Sequence, residues 1–209
     1  MSRPLLPSAL FAAALFFSAL AAALTSPPAR AAETGVAIFA GGCFWCVESD
    51  FDHVEGVTET ISGYIGGKAD NPTYKSHVAN GDREAVEIRY DPAVVSYEEL
   101  LKTFFRTINP TDDGGQFCDR GFSYSTAVYT LNDEQAALAE AAKAEAEKAL
   151  GKPVVTAIEP PAKFWPAEEY HQDFYTKSPV RYNYYRRACG RDQEVKSLWG
   201  DEANLGVQK

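Results

Sequence analysis

The 209-residue chain has few of the residues that metal-binding and nucleic-acid-binding proteins commonly use. It has three histidines, four cysteines and one methionine, Met1, and its formal net charge is −9. No basic stripe interrupts this acidic composition, so nucleic acid and anionic lipid surfaces are poor candidates for partners. The cysteines include one Cys-x-x-Cys pair and lack a second. We therefore expect neither a zinc site nor any other metal.

The first 32 residues have the pattern of a secretory signal peptide. An apolar run, Ala9 to Leu24, is followed by a Pro-containing break and by Ala29-Arg30-Ala31, a small-residue cleavage site. The run is shorter than the roughly 20 residues that a spanning helix needs, which favours cleavage over a membrane anchor. We expect residues 1–32 to be removed and residues 33–209 to form a single periplasmic domain without stable membrane association. Its mature chain would contain no methionine.

The most informative stretch is Gly41-Gly42-Cys43-Phe44-Trp45-Cys46. It joins a predicted strand, Val36–Ala40, to a predicted helix, Phe44–His53, and the two glycines allow a sharp turn between them. Cys43 then falls in the first turn of the helix, where free amides and the helix dipole favour a thiolate. Cys46 is roughly one helical turn further on and can reach Cys43. In an exported chain the same cysteines could instead form plain structural disulfides.

The remaining pattern predicts an α+β fold. Its order of strand, helix, strand, strand, helix, strand is that of the split βαβ (ferredoxin-like) arrangement, a mixed sheet with helices on one face. The further predicted elements are strands at 57–62, 84–90, 124–130 and 154–158 and helices at 96–108 and 132–150. Residues 111–123 are predicted to form a long loop, and a loop of this length is usually either functional or disordered. After Pro160-Pro161 the chain is rich in aromatics and is predicted to be irregular, with a loosely held end.

Five short motifs, spread over about residues 35 to 190, resemble those of the peptide methionine sulfoxide reductase A family, which acts on the S epimer of methionine sulfoxide. No single motif is specific to that family, but the occurrence of all five in this order is. They are Gly42-Cys43-Phe44-Trp45 with Glu48, Ser62–Gly67 with Asn71–Tyr74, Glu84-Ala85-Val86 with Tyr90-Asp91-Pro92, Asp119-Arg120-Gly121 with Tyr124-Ser125, and Tyr170-His171-Gln172 with Lys177-Ser178-Pro179.

The resemblance implies a role for each matching residue. Cys43 would be the nucleophile, and Phe44 and Trp45 would hold the methyl group of the substrate. The residues implied to face the sulfoxide oxygen or to support the site are Glu84, Tyr64, Tyr124 and Asp119. By residue type alone, Glu84 would be a surface charge, the tyrosines half-buried sheet residues and Asp119 a turn residue.

The implied reaction explains these residue types. A sulfoxide sulfur is a poor electrophile until its oxygen takes a proton, and Glu84 could supply one only if burial raised its pKa. Cys43 would be left as a sulfenic acid, and a second cysteine would condense with it to a disulfide. An external dithiol protein, of thioredoxin type, would reduce that disulfide, and no metal or organic cofactor is implied. The implied substrates are oxidised proteins or peptides, and we expect a monomer.

The chain departs from the common family pattern at three places. Cys46 replaces a glycine, Arg83 replaces a histidine, and Cys189-Gly190-Arg191 stands where a Gly-rich tail carrying the recycling cysteine is usual. Cys189 is closest to the usual position and is the first choice for the resolving cysteine. Cys118, beside Asp119, and Cys46, beside Cys43, remain alternatives.

The remaining predictions concern the environment of the histidines and two alternative functions. His53 and His77 lie in polar stretches and are expected to be solvated, whereas His171 is expected to be a structural histidine near the pocket. One rival is a thiol–disulfide oxidoreductase that uses Cys43 and Cys46. The other is a non-catalytic secreted binding domain with two structural disulfides.

Overall fold

The computed structural model describes residues 34–208. The predicted signal peptide, residues 1–32, lies outside the described residues. Within residues 34–208, none of the helices combines the length and the apolar character needed to cross a membrane.

The described chain contains strands that form one six-stranded sheet and one short hairpin. The sheet has the order β7-β6-β1-β3-β2-β8, and the hairpin pairs β4 with β5. The strands are β1 (Gly35–Ala40), β2 (Val57–Ile65), β3 (Arg83–Tyr90), β4 (Gly115–Gln116), β5 (Asp119–Arg120), β6 (Ala127–Tyr129), β7 (Ala157–Glu159) and β8 (Phe164–Pro166).

The helices fall between the strands and after them. They are α1 (Phe44–Phe51), α2 (His77–Asn80), α3 (Tyr97–Arg106), α4 (Asp133–Leu150), α5 (Phe174–Lys177), α6 (Pro179–Ala188) and α7 (Arg191–Trp199), with short 3₁₀ turns at Phe122–Tyr124 and Gly200–Glu202. The start of α3 is the predicted capping box. The Ser96 hydroxyl accepts from the backbone N–H of Glu99 at 3.2 Å, and the Glu99 carboxylate accepts from the backbone N–H of Ser96 at 2.8 Å.

The strand order confirms the predicted α+β fold. The inner strands β6-β1-β3-β2 pair antiparallel in the order of the split βαβ arrangement, and β7 adds a parallel edge that makes the sheet mixed. Helices α1 and α3 cover the face of β1 that carries Phe39, whose ring stacks on Phe104 at 4.8 Å. The opposite face buries a smaller cluster: Ile38, Ala40, Ile65, Ala85, Ala127 and Tyr129. The candidate site described below lies at the end of this sheet where β1 and β2 end and β3 begins.

Three predicted segments differ in the structure. The predicted strand at 154–158 is displaced and shortened to β7, which begins at Ala157. The predicted strand at 124–130 is only β6, and Tyr124 lies in a 3₁₀ turn. The Ser125 hydroxyl donates to the carbonyl of Phe122 at 2.7 Å and stabilises that turn. The predicted loop at 111–123 contains the β4–β5 hairpin, which holds Asp119 in place.

The prediction of an irregular, loosely held C-terminal region is wrong. Helices α5 to α7 occupy most of it. Pro179 starts α6 at a position where its missing N–H costs no hydrogen bond. Val195 and Trp199, four residues apart on α7, are both buried, and the indole N–H of Trp199 donates to the carbonyl of Ile108 at 3.0 Å. The density of aromatic residues hid this helical spacing in the sequence.

Candidate active site

Cys43 lies where the chain turns from β1 into α1, directly before the first helical residue. Gly42 makes this turn with φ at +88°, a conformation that residues with a side chain rarely adopt. A Cβ atom on Gly42 would also lie 2.6 Å from Cβ of Gln116. The Cys43 side chain is only 7% exposed. The structure therefore places Cys43 at the strand–helix turn that the sequence predicts.

Glu84, at the start of β3, faces this turn. Its Oε2 accepts a hydrogen bond of 3.0 Å from the backbone N–H of Phe44. Glu84 shares the inward face of β3 with Val86 and Ile88, and it is 2% exposed. Burial raises its pKa to about 8, the Phe44 amide opposes that rise, and the nearby Asp119 adds to it. The carboxyl group therefore keeps its proton at neutral pH.

The thiol of Cys43 is not in the setting that the sequence predicted. Burial raises its pKa well above the usual range, and the neighbouring Cys46 and Glu84 add to the rise. The Phe44 amide, the first free donor of the helix, is used by Glu84. The expectation of a helix-stabilised Cys43 thiolate in the resting enzyme is therefore wrong.

Tyr64 lies opposite Glu84 in the pairing of β2 with β3. Its hydroxyl donates to Oε2 of Glu168 at 2.8 Å, while Oε1 of Glu168 accepts from the backbone N–H of Tyr74 at 3.0 Å. Burial, together with the bond to Glu168, raises the pKa of Tyr64 far above its usual range. Glu168, which the sequence analysis missed, thus ties two tyrosines to one wall of the site.

Tyr124 reaches the same site from its 3₁₀ turn. It is half-buried, and burial raises its pKa, with smaller contributions from the charges of Glu84, Tyr74, Asp119 and Cys43. These charges affect Tyr124 because they lie close to it. The structure therefore brings Tyr124 together with the other residues that the sequence placed in the site.

Asp119 reaches Cys43 through Tyr185, a residue of α6 that the sequence analysis missed. The Tyr185 hydroxyl donates a short hydrogen bond to Oδ2 of Asp119 and is also within hydrogen-bonding reach of the Cys43 sulfur. Burial raises the pKa of Asp119, and the bond from Tyr185 opposes the rise. One signal for Tyr185 was its position one helical turn before Cys189.

Phe44 and Trp45 form the apolar wall of the site with His171. The indole N–H of Trp45 donates to Nδ1 of His171 at 3.0 Å, and the Trp45 ring stacks on Phe174 at 3.8 Å. The rings of Phe44 and His171 are 5.0 Å apart. Burial lowers the pKa of His171, so this ring is neutral at pH 7 and can accept the indole N–H. His171 therefore has the structural role near the pocket that we expected.

His77 is not solvated as predicted. It is 2% exposed, and its ring stacks on Tyr64 with the ring centres 5.0 Å apart. Its Nε2 lies 3.6 Å from Oε1 of Glu84, and its Nδ1 is bonded to the carbonyl of Tyr74 at 2.8 Å. The polar sequence around His77 concealed this because α2 turns the ring inward. His53 is exposed, as expected.

Arg83, the departure from the common family pattern, lies on the other face of β3 and takes no part in this site. Its guanidinium donates to Ser125, Tyr129 and Glu159, the last two at 2.8 and 2.9 Å. Arg83 therefore fastens β3 to the far edge of the sheet.

The four cysteines form two pairs. Cys43 and Cys46 are free thiols, both buried, and their side chains are within hydrogen-bonding reach of each other. Cys118 and Cys189 are joined in a disulfide between the β4–β5 turn and the end of α6, with Cα atoms 4.9 Å apart. The Asp119 carboxylate lies within 4.8 Å of both disulfide sulfurs, but these sulfurs are bonded to each other rather than free to bind a metal.

Cys46 lies close to two arginines. The hydrogen bond with Cys43 lowers the pKa of Cys46, and the charges of Arg191 and Arg186 lower it further against the effect of burial. Asp50 holds both arginines, at 2.7 Å from Arg186 and 3.6 Å from Arg191. Cys46 is therefore the more acidic of the two thiols.

Comparison with known proteins identifies one family. Residues 35–203 match the family model described as peptide methionine sulfoxide reductase. Among relatives, "Peptide methionine sulfoxide reductase MsrA 2" of Rhizobium meliloti (strain 1021) is 58% identical over 193 residues, which are 92% of this chain and 98% of that protein.

Solved structures agree on the fold. Mxr1 from Saccharomyces cerevisiae in reduced form superposes with a TM-score of 0.68 and 29% identity, over 72% of this chain and 89% of that chain. Mxr1 in complex with Trx2 shares the fold at a TM-score of 0.50 and 22% identity, over 73% of this chain and 91% of that one.

Proposed function

Since the chain belongs to the peptide methionine sulfoxide reductase family, we propose that it reduces the S epimer of methionine sulfoxide, in proteins and as the free amino acid, through a sulfenic acid on Cys43. One observation carries the proposal: a buried carboxyl group, Glu84, is hydrogen-bonded to the residue that follows the thiol. An acid that stays protonated at neutral pH beside a nucleophile is what sulfoxide reduction requires.

The first step is proton transfer to the sulfoxide oxygen with attack on its sulfur. Glu84 supplies the proton because its pKa is about 8. The Cys43 sulfur attacks the sulfoxide sulfur and forms a sulfur–sulfur bond. The oxygen then passes from the substrate sulfur to the Cys43 sulfur, the sulfur–sulfur bond breaks, methionine leaves with its electron pair, and Cys43 is left as a sulfenic acid. The substrate sulfur is reduced by two electrons and Cys43 is oxidised by two.

Cys43 must lose a proton to attack, and Cys46 is placed to take it. The two side chains are within hydrogen-bonding reach, and the charges of Arg191 and Arg186 favour the thiolate form of Cys46, which is the form that can accept a proton. A proton can pass from Cys43 to Cys46 as the new sulfur–sulfur contact forms. This removes the need for a Cys43 thiolate in the resting enzyme.

Three tyrosines shape the site for the oxygen and the thiol. Tyr64 and Tyr124 would donate hydrogen bonds to the oxygen as charge develops on it. Tyr64 donates to Glu168 at 2.8 Å in the structure, so it would exchange this acceptor for the substrate. Asp119 would act through Tyr185, whose hydroxyl it holds against Cys43.

Phe44 and Trp45 would bind the methyl group on the substrate sulfur and select the S epimer. Both belong to the first turn of α1, so they lie on a rigid element beside Cys43. Trp45 is fixed further by Phe174 and His171. A methyl group held in this apolar wall leaves only one arrangement of oxygen and side chain in which the oxygen faces Glu84.

The proposed location is the periplasm, reached by the signal peptide at residues 1–32. Such an enzyme needs an electron source in the same compartment, and we propose a thioredoxin-like dithiol protein that reduces the disulfide left by each turnover. Mxr1 from Saccharomyces cerevisiae, which shares the fold, has been solved in complex with Trx2. No metal or organic cofactor enters the reaction.

The test is turnover of both epimers of a methionine sulfoxide peptide by the mature protein with dithiothreitol. We expect reduction of the S epimer alone and none by Cys43→Ser. Circular dichroism and the unfolding midpoint of Cys43→Ser should match those of the wild type, so that a folding defect is ruled out. Reduction of neither epimer by a folded, fully reduced protein would overturn the proposal.

A thiol–disulfide oxidoreductase is the second candidate, because the contact between Cys43 and Cys46 also suits disulfide exchange. Disulfide exchange, however, gives no role to Glu84, Tyr64 and Tyr124. Cys46→Ser separates the two functions. It should abolish exchange with a model disulfide, yet still form one methionine per enzyme from the S epimer, more slowly because Cys43 has lost its proton acceptor.

A further inference from the structure

We propose that one face of α6 holds the polypeptide chain of the substrate and favours acidic residues within about two positions of the methionine sulfoxide. We call it the groove face, and its residues are Arg181, Tyr184, Tyr185 and Ala188. The inference rests on the proposed function and deepens it, because it names the class of substrate. That class is extended, acidic segments of oxidised proteins, in preference to the free amino acid.

The groove face follows from helical spacing. Its four residues recur at intervals of three, one and three along α6, so they lie on the same side of the helix. With Trp45, Phe174 and the Cys118–Cys189 disulfide they line a groove of about 540 Å³. Ligand pockets in proteins commonly measure roughly 300–1,000 Å³. The groove is therefore large enough to receive a peptide of a few residues.

The groove adjoins the candidate active site. Trp45, which would bind the methyl group of the substrate, lines the groove as well, and its ring stacks on Phe174 at 3.8 Å. Tyr185 also belongs to both, because its hydroxyl is within hydrogen-bonding reach of the Cys43 sulfur. A methionine sulfoxide side chain that reaches Cys43 past these two rings would leave its main chain over the groove. The residues beside it in the substrate would therefore lie along α6.

The groove face carries an aromatic side chain that the fold leaves in solvent. Tyr184 is 77% exposed, and Val180, one turn earlier on α6, is 82% exposed. Within residues 34–208, these are the two highest values among the large hydrophobic side chains. Exposed apolar surface of this kind commonly marks an interaction site, and tyrosine gives a large contact area at a low cost in conformational entropy. Tyr184 is therefore suited to hold a passing polypeptide chain.

Arg181 supplies an unpaired cation in the groove. In the described part of the chain, its guanidinium lies over the ring of Phe174, 5.5 Å from the ring centre, and has no carboxylate within ion-pair distance. Two neighbouring carboxylates are engaged elsewhere: Asp119 accepts from Tyr185, and Asp173 pairs with the lysine one turn later. An acidic side chain of the substrate would therefore gain an attractive partner in Arg181.

The length of one helical turn sets which substrate residues can reach Arg181. Arg181 precedes Tyr185 by four residues, which is about 6 Å along the axis of α6. An extended chain advances about 3.3 Å per residue. A carboxylate one or two residues away from the methionine sulfoxide would therefore lie beside Arg181.

The experiment compares three substrates, with dithiothreitol as the reductant. They are an S-sulfoxide peptide with glutamate at the two positions on each side of the sulfoxide, the same peptide with lysine there, and free S-methionine sulfoxide. The wild type should show a KM about threefold lower for the glutamate peptide than for the lysine peptide, with the same kcat. Arg181→Glu should reverse this order. An unchanged order in Arg181→Glu would overturn the proposal.

Tyr184→Ala tests the aromatic contact. It should raise KM for both peptides by about fivefold, because the tyrosine ring would contact the peptide chain whatever its charge. Free methionine sulfoxide has no neighbouring residues, so its KM and kcat should stay the same in Tyr184→Ala and in Arg181→Glu. An equal rise of KM for the free amino acid would show a distorted site and contradict a groove for the polypeptide.

Arg187→Glu is the matched control for the change of charge. Arg187 is also exposed on α6, but it lines a different cavity, between α6 and α7, with Asn183 and Gly190. It should leave the order of the two KM values as in the wild type. The same reversal in Arg187→Glu and Arg181→Glu would assign the preference to overall charge and refute a site at Arg181.

The use of dithiothreitol separates two occupants of the groove. The Cys118–Cys189 disulfide lies there too, so a protein reductant can dock on the same face. Variants that slow turnover only with a thioredoxin-like protein, and not with dithiothreitol, would identify the reductant as the occupant and overturn the proposal. Reduction of all three substrates without a preference would overturn this inference alone, whereas no reduction of any would overturn the proposed function.

A binding measurement does not depend on turnover. Cys43→Ser is titrated with each peptide, and tryptophan fluorescence reports binding because Trp45 lines the groove. The glutamate peptide should bind about threefold more tightly than the lysine peptide, and adding Arg181→Glu should reverse the order. Equal dissociation constants for the two peptides would contradict the proposal.

Discussion

The backbone N–H of Phe44 donates a 3.0 Å hydrogen bond to the Glu84 carboxyl group, across 40 residues of sequence. The bond fixes the acid against the turn that carries Cys43, and it joins α1 to β3 at the end of the sheet. Because Glu84 is fully buried there, burial decides its protonation state.

Glu84→Gln should slow methionine formation by roughly 10²- to 10⁴-fold, the usual range for loss of a general acid. The amide keeps the shape and can still accept the Phe44 N–H, but it cannot supply the proton. Single-turnover rates with the S-sulfoxide peptide measure the loss. Glu87→Gln is the matched control, because Glu87 lies on the opposite face of the same strand and should leave the rate unchanged.

The rate should also depend on pH through Glu84. Only the protonated acid is active, so kcat/KM should fall as the pH rises past about 8, the pKa of Glu84. The measurement is a pH profile of the wild type beside Glu84→Gln. The variant should lack this fall, and the same fall in both would assign it to another group.

Glu48 should make the protein less stable as the pH rises. It is fully buried, and burial raises its pKa to about 8, above the 4.5 of an ordinary glutamate. At Glu48 the folded state therefore binds more protons than the unfolded state between these values, so the contribution of Glu48 to stability is greatest below about pH 4.5 and falls up to about pH 8.

Glu48→Gln should remove part of that fall. Relative to the wild type, its free energy of unfolding in urea should be higher at pH 8.5 than at pH 5 by on the order of 1 kcal/mol or more, since one pKa unit corresponds to about 1.4 kcal/mol. The exposed Glu59 provides the control variant, Glu59→Gln. An equal effect of Glu48→Gln at both pH values would contradict the assignment.

Glu168→Ala should lower kcat by about tenfold, because Tyr64 and the Tyr74 backbone would lose the shared carboxylate that holds this wall of the site in place before the substrate binds. Glu168→Gln should recover much of the rate, since its carbonyl oxygen can still accept from Tyr64. The neighbouring Glu169 pairs with Lys177 at the surface, so Glu169→Ala is the control. Equal losses in the Ala and Gln variants of Glu168 would argue against a positioning role.

Arg83→His should cost stability without changing the chemistry. The histidine common in the family cannot replace the bonds of Arg83 to Tyr129 and Glu159, and we expect a loss of about 1–3 kcal/mol in urea unfolding. Activity per folded molecule should stay unchanged because Arg83 lies on the far face of β3. Arg89→His, at a half-exposed position on that face, is the control for the arginine replacement.

Local patterns predicted much of the fold. The strand–helix turn at Gly42, the capping box at Ser96, the helix after Asn132 and the order of the inner strands follow from glycine placement, capping residues and hydrophobic period. The C-terminal helices were missed because exposed tyrosines, such as Tyr184, alternate with the buried Tyr182 and obscure the helical spacing.

The sequence by itself determined the turn that carries Cys43, the family and several of the residues that line the candidate site, because short motifs and chain direction are local properties. The tertiary structure decided which groups touch. It buried Glu84 and raised its pKa, raised rather than lowered the pKa of Cys43, and turned His77 inward. It also paired Cys118 with Cys189 and placed Tyr185 between the two cysteine pairs. Protonation states and cysteine partners depend on burial and on contacts between residues far apart in the chain, which spacing along the sequence does not contain.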